Sequence, residues 1–421
     1  MRGENVGRAS ATGPVVVLGF GAAAVSALCA LREAGFAGPV TVVTDAGPEP
    51  YSPVLTSYYA GGRIGYGQCF PWKDLDFEAL IDDLVTASPV EAVDAGAREV
   101  VLPDGRRIGY AKLLIATGAH PVAPGFPATA PYRPLVLRTM ADADRLREAL
   151  EGAQRKSVLV AGTSMVGLKV LEACLDRGGR ATMLGRSAHI LRSSAHSLVA
   201  ERLERLLVER GVALRLSQAA VSAAAHDGTR GCTVRFDNGD AEAFDEVVLA
   251  QGARPNLAFV RDSAVEVREG VVVDRFMRTS APDVFAAGDV AQALDLSSGR
   301  ERVIGLWQNA VQQGRCAGAA IAAELAGRAP TRPYPGSIPS NTIHVQDILF
   351  SSAGALAEGE GTRIEASEAG GALTVRAYAY RRGKKQLVGF NVLAVATDGG
   401  LYGDAVDEIG AYRREILNAY L

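Results

Sequence analysis

Gly19-Phe20-Gly21-Ala22-Ala23-Ala24 spaces its small residues as GxGxxA. The first glycine of such a run permits a tight turn, and the second lets backbone approach a pyrophosphate. The small third residue, Ala24, lets the next helix lie close on its strand. That helix start offers unpaired N–H groups and about half a positive charge to phosphate. Asp45 follows the next apolar run, where a carboxylate can bond a ribose hydroxyl. A second turn, Gly162-Thr163-Ser164-Met165-Val166-Gly167, is looser, because Ser164 occupies the place of the second glycine. At its ribose-acid position is Gly185, followed by Arg186. Without a carboxylate there, the 2′-hydroxyl loses a partner and a 2′-phosphate loses a repulsion, so Arg186 or Arg192 could bind that phosphate. This leans to NADPH over NADH; on the other reading both arginines are solvated surface charges.

The elements that must carry these turns are legible around them. PVVVLG is a short β-branched run of the kind found in a buried parallel strand; Ala22 to Ala34 then turns helical, Gly35 stops it, and VTVVT returns as strand. The plan recurs as strand Val158 to Ala161, helix to Asp176, a Gly178–Gly179 stop and strand Ala181 to Leu184. Two βαβ openings in one chain imply two nucleotide-binding folds, and the duplication carries more weight than either motif alone. YAKLLIATGAHP (110–121) and DEVVLAQGARPN (245–256) read as apolar strands ending in glycine turns, and Trp307 to Leu325 as a helix. Beyond Pro330 the prolines at 333, 335 and 339 mark a linker. LTVRAYAY and LVGFNVLAV then suggest an antiparallel hairpin, and Asp404 to Leu417 a closing helix.

The 421 residues exceed one ordinary core, and a formal net charge of −3 gives no electrostatic case for a nucleic-acid partner. The 47 glycines and 48% hydrophobic content suit an α/β chain rich in tight turns. Cys29, Cys69, Cys174, Cys232 and Cys316 are scattered without CxxC or CxxxxC, so neither a disulfide framework nor a thiolate metal cage is signalled, and a reducing cytoplasm is the expected location. Val15 to Leu31 is short for a membrane span and is broken by glycines, and Met1 to Gly13 reads as a flexible tail.

GFGAAA, YAKLLIATGA, GTSMVG, LAQGARPN, TSAPDVFAAGDV and LWQNAVQQG, in this order, make the chain resemble the FAD-dependent pyridine nucleotide oxidoreductases. The branch is that of rubredoxin and ferredoxin reductases and the flavin part of nitrite reductases, and the likeness covers roughly residues 14 to 325. The resemblance implies a glutathione-reductase-like α/β fold: two Rossmann-like dinucleotide-binding domains plus a small α+β C-terminal domain. Residues 1–118 and 249–328 would bind FAD, 119–248 NAD(P)H, and 329–421 would form an interface domain, making a homodimer the expectation. It further implies that Gly288 and Asp289 meet the FAD ribityl chain or phosphate, and that Thr117, Gly118 and Gly252 mark crossings between the nucleotide domains. The helix from Trp307 would point its N-terminus at the flavin, with Trp307 either against the ring edge or in the core.

The chain also departs from its relatives. Where one branch has a redox cysteine, as in YSPCxLP, Tyr51-Ser52-Pro53 is followed by Val54, which forms no thiolate. Cys69 is close in sequence but wrongly spaced, and reads as an idle thiol. Ser57 stands where the ferredoxin-reductase branch carries lysine, and Lys169 where it carries glutamate. Lys169 then either supplies positive charge beside the flavin or is a surface lysine facing Glu172 or another acid. His344 reads as a structural histidine. The run Arg381, Arg382, Gly383, Lys384, Lys385 is a solvated hairpin turn or a dock for an acidic redox protein.

The expectation is hydride transfer from reduced nicotinamide to FAD, and onward passage of electrons to a ferredoxin, rubredoxin or iron–sulfur subunit. No general acid or nucleophile is required, and no metal site is expected. Direct reduction of a small molecule or oxygen, or a non-catalytic nucleotide-responsive role, remain the alternatives.

Overall fold

The computed structural model describes residues 13–122, 132–152, 156–226, 231–261, 263–356, 361–381, 383–396 and 402–420. Nearly all of the N-terminal leader, and Arg382 of the basic run, lie outside the described residues. Five parallel strands form the first sheet, in the spatial order Val284–Ala286, Lys112–Ile115, Val15–Leu18, Val40–Val43 and Asp83–Val85. Val15 to Leu18 are at most 1% exposed, as expected for a parallel strand covered on both faces. Helix Ala22–Glu33 makes the crossover from Val15–Leu18 to Val40–Val43. Against it packs Trp307–Leu325, so strand 284–286 and this late helix return to complete a unit begun at the N-terminus.

A second parallel sheet repeats the plan, ordered Ala213–Leu216, Arg180–Gly185, Ser157–Ala161, Glu246–Leu249 and Leu135–Val136, with helix Met165–Asp176 as crossover. Each of these two α/β units carries a three-stranded antiparallel sheet as well. The chain crosses between them twice, and the crossings Ala119–Pro121 and Ala253–Pro255 pair antiparallel. Strands Val271–Val272, Ala291–Asp295 and Arg300–Val303 form a small mixed sheet, and the last five strands build an antiparallel sheet containing the hairpin Ala372–Arg381 and Lys384–Val395, covered by helix Ala405–Tyr420. The architecture is thus two Rossmann-like units and an α+β unit.

The contact between helices Ala22–Glu33 and Trp307–Leu325 is made backbone to backbone. A Cβ at Gly314 would overlap the Ala23 carbonyl oxygen, and one at Gly318 the Ala27 carbonyl oxygen. Neither neighbour is a side chain that can swing away. Gly318→Ala should therefore destabilise the protein by about 1–3 kcal/mol through overpacking, read as a lower urea midpoint; an unchanged midpoint would show that the helices separate freely.

Candidate functional site

The first glycine turn is shaped by collision on one side and open space on the other. Gly19 has φ +94°, and a Cβ there would overlap the Ala116 carbonyl oxygen at the end of the neighbouring strand. Gly21 is extended (φ −98°, ψ −165°), and a Cβ built on it meets nothing within 4 Å. It caps helix Ala22–Glu33 without any side-chain hydrogen bond, which leaves the first-turn N–H groups facing that open space. Ala24, in the first turn of that helix, is fully buried, and Asp45 is exposed just past strand Val40–Val43. A cradle with free donors and room for backbone-close phosphate fits the diphosphate of FAD.

Around this turn the structure gathers residues distant in sequence. Gly288 (φ +84°) donates its N–H to Gln313 Oε1 at 2.8 Å, and its Cβ position lies 3.0 Å from Ala23 Cβ. Asp289 accepts from Arg138 at 2.8 Å. Arg138 is a site residue that sequence reasoning missed; it follows strand Leu135–Val136 of the second unit and so ties that unit to the first. The adjoining capping box of Thr139 and Asp142 fixes the start of helix Met140–Leu150 but says nothing of the ion pair that Arg138 makes. Burial pushes the Tyr51 phenol above its ordinary pKa, while Arg138 pulls it back. Trp307 opens helix Trp307–Leu325, whose cap Leu306 makes no side-chain hydrogen bond, and it stacks on Trp72 with centroids 5.0 Å apart. Both rings are half-buried against the core of the first unit.

Thr117, Gly118 and Gly252 lie at the two crossings. Asn256 binds them together: its Nδ2 donates to the Thr117 carbonyl at 2.7 Å and its N–H to the Gly118 carbonyl at 3.0 Å, while the Val122 N–H donates to the Gly252 carbonyl at 2.9 Å.

In the second turn, Gly162 (φ +136°) has its Cβ position against the Ala250 carbonyl oxygen, and Gly167 has its own against the Gly162 carbonyl oxygen. Ser164 caps helix Met165–Asp176; its Oγ donates to the Ala250 carbonyl at 3.1 Å and accepts from Gly167 N–H at 3.4 Å. The hydroxyl is thereby folded back into the turn. A Cβ at Gly185 would overlap Thr163 Cγ2, so any side chain at the ribose-acid position requires the Thr163 side chain to turn aside. Arg186 and Arg192 are both exposed.

Val54 is 56% exposed, whereas Cys69 is fully buried, and burial raises its pKa above the ordinary thiol value. A protonated, inaccessible thiol is no redox nucleophile. Ser57 is buried. Lys169 pairs with Glu172, donates to the His344 carbonyl at 3.1 Å and lies 3.9 Å from the Tyr58 ring centroid. Its side chain is only 11% exposed, so it faces Glu172 from inside the protein and not from the surface. His344 shares a 3.0 Å hydrogen bond with the Tyr402 hydroxyl, and burial, reinforced by Lys169, lowers its pKa. At the basic hairpin, Lys385 pairs with Glu365 at 2.7 Å and Arg381 lies over the Tyr420 ring. Among the described residues no cluster of His, Cys, Asp and Glu could hold a metal ion, and no helix is long and apolar enough to cross a membrane.

Comparison with known proteins agrees with this geometry. Residues 13–314 match the model of the pyridine nucleotide-disulphide oxidoreductase family. The NADH-dependent phenylglyoxylate dehydrogenase subunit epsilon of Aromatoleum evansii is 30% identical over 356 residues, 84% of this chain and 80% of that protein. The ferredoxin–NAD(+) reductase component of the anthranilate 1,2-dioxygenase system of Burkholderia cepacia is 32% identical over 303 residues, 71% of this chain and 73% of that one. In fold, the chain superposes on the covalent putidaredoxin reductase–putidaredoxin complex with a TM-score of 0.81 at 24% identity, covering 97% of this chain and 94% of that one.

The open space at Gly21 generates a sharp expectation. Gly21→Val meets no protein atom with its Cβ and needs no unusual φ, so stability of the flavin-free chain should fall by no more than about 1 kcal/mol, the cost of a poorer helix N-cap. Flavin content after purification should collapse, as absorbance in the visible flavin band reports. Full flavin retention would mean that no diphosphate lies there.

Proposed function

This chain belongs to the pyridine nucleotide-disulphide oxidoreductase family, and we propose that it draws electrons from reduced nicotinamide through FAD and delivers them to a separate redox protein. The observation that carries the reading is the pair of glycine turns, each wedged against a strand-end carbonyl and each opening a helix, within one polypeptide. Bound FAD supplies the redox chemistry, accepting two electrons from the nicotinamide and releasing them to the acceptor. The protein's part is to bind, orient and exclude water. In the proposed site the first turn, with Gly19, Gly21 and Ala24, holds the FAD diphosphate, and Asp45 reaches its ribose. Gly288 and Asp289 face the ribityl side, with Thr117, Gly118 and Gly252 at the crossings. The uncapped start of the helix at Trp307 offers N–H donors to negative charge on the flavin. Gly162, Ser164 and Gly167 cradle the nicotinamide dinucleotide.

The proposed division of labour assigns residues 1–118 and 249–328 to FAD, 119–248 to the nicotinamide nucleotide and 329–421 to a homodimer interface. Val54 at the redox-cysteine place and buried Cys69 weigh against a thiol relay and against efficient reduction of oxygen to water. A second reading, as a fixed subunit of a larger complex, is favoured by the likeness to a protein named as a dehydrogenase subunit. Under anaerobic conditions the pure chain with NAD(P)H should reduce a ferredoxin or rubredoxin catalytically, and in air should consume little nicotinamide. Turnover with oxygen alone as fast as with any redox protein would overturn the acceptor assignment.

For the nicotinamide, the missing carboxylate at Gly185 beside exposed Arg186 supports NADPH. A Gly185→Glu exchange would first have to displace the Thr163 side chain, so Arg186 is the cleaner residue to alter. Arg186→Ala should raise KM for NADPH about tenfold, the loss of one charge-assisted contact of about 1.5 kcal/mol, and leave KM for NADH unchanged. Equal effects on both cofactors would remove Arg186 from the site.

A further inference from the structure

The helix Thr56–Gly61 lies, in sequence, within the first nucleotide unit, yet it packs mainly against helices Met140–Leu150 and Met165–Asp176 of the second. Ala60 is buried in the same core cluster as Leu146, Leu168 and Val170, and a Cβ at Gly61 would lie 3.1 Å from Ala173 Cα. Polar contacts repeat the pattern. Arg147 donates to the Tyr59 carbonyl at 2.9 Å, the Tyr59 hydroxyl to Asp144 at 2.8 Å, and Arg177 to the Ala60 carbonyl at 3.2 Å. Arg63, just past the helix, grips Asp176 with two hydrogen bonds of 2.5 and 2.9 Å.

One carboxylate joins this seam to the third unit. Glu172 is 2% exposed and sits on helix Met165–Asp176, the helix that begins at the second glycine turn. Its Oε1 is ion-paired with Arg63 Nη1 at 2.9 Å and accepts from the Gln346 N–H at 2.8 Å, and its Oε2 accepts from Lys169. Lys169 in turn bonds the His344 carbonyl on strand Ser340–Val345 and lies over the Tyr58 ring. Donors from the Thr56–Gly61 seam, from the second unit's own helix and from the C-terminal sheet all converge on one buried acid. A buried carboxylate is tolerated only when its partners are held in place, so its position and theirs are mutually fixed.

We propose that Glu172 is a positioning residue that locks helix Met165–Asp176, and with it the second glycine turn, to the first unit and the C-terminal sheet, so fixing how reduced nicotinamide meets the flavin. Lys169 serves as its inner counter-ion. The inference rests on the two-nucleotide reading of the proposed function. A small loss of alignment between reacting groups costs up to about a hundredfold in rate, so the effect belongs on the hydride step and not on nucleotide affinity.

The test uses the FAD-loaded protein and the variants Glu172→Gln and Arg63→Ala; the second cuts the seam at a half-exposed residue and covers the case in which the first fails to fold. Two readouts are taken: hydrogen exchange of the peptides spanning 56–63 and 344–347, and the single-turnover rate of flavin reduction per bound flavin. Exchange should accelerate by about tenfold or more as the seam opens locally. Per-flavin reduction should slow by about tenfold or more, with the nicotinamide dissociation constant within about threefold of the parent and partial rescue in Glu172→Asp. A merely structural carboxylate would lower flavin content or stability while leaving the per-flavin rate intact, and that result overturns the proposal, as does unchanged exchange. If the parent's flavin were reduced by neither nicotinamide, the functional reading would fail, and exchange in Arg63→Ala would still decide whether the seam is a lock.

Discussion

A carbonyl oxygen at the end of a parallel strand lies too close to the adjoining glycine turn for any Cβ to fit between them. This happens twice: Gly19 lies against Ala116 and Gly162 against Ala250, each glycine at positive φ and each carbonyl one residue past a buried apolar strand. Only a residue without a side chain can pass there, and the tightness of the passage fixes where the next helix starts. Two residues further along, the turns diverge. Gly21 leaves its space open, whereas Ser164 turns its hydroxyl back onto Ala250 and Gly167. The first turn leaves room for close approach to its backbone, and the second presents a more filled surface.

Holding two such cradles in a fixed relation is a separate problem. The paired crossings stitched by Asn256, the Arg138–Asp289 ion pair and the seam around Thr56–Gly61 all address it. They use different chemistry: backbone pairing, a half-buried ion pair and apolar packing with a buried carboxylate. The chemistry expected of this chain asks for alignment more than for reactive side chains, and its connections between units are correspondingly dense.

Features that are local in sequence were legible. Both βαβ units, the helix Trp307–Leu325, the late hairpin and the closing helix follow from β-branched runs, helical periodicity and glycine stops, because those patterns act over a few residues. Arg138, Trp72 and the Arg63–Glu172 contact were not legible, since each acquires its meaning from a partner brought near only by the fold. Lys169 shows the boundary between the two. Its spacing to Glu172 on one helix was readable, but its burial beneath Tyr58 and the His344 carbonyl depends on two other segments. Likewise nothing near Gly185 in sequence announces that Thr163 fills the space where an acid would go.

One chain that binds two dinucleotides and brings their rings together should transfer hydride between them without any other protein. The most direct measurement is anaerobic stopped-flow of the purified protein, following the flavin band after mixing with reduced nicotinamide. Close to one bound FAD per chain is expected, bleached in a single rapid phase whose rate saturates with nicotinamide concentration. A colourless protein that takes up no added FAD, or a bound flavin that neither NADH nor NADPH bleaches, would contradict it.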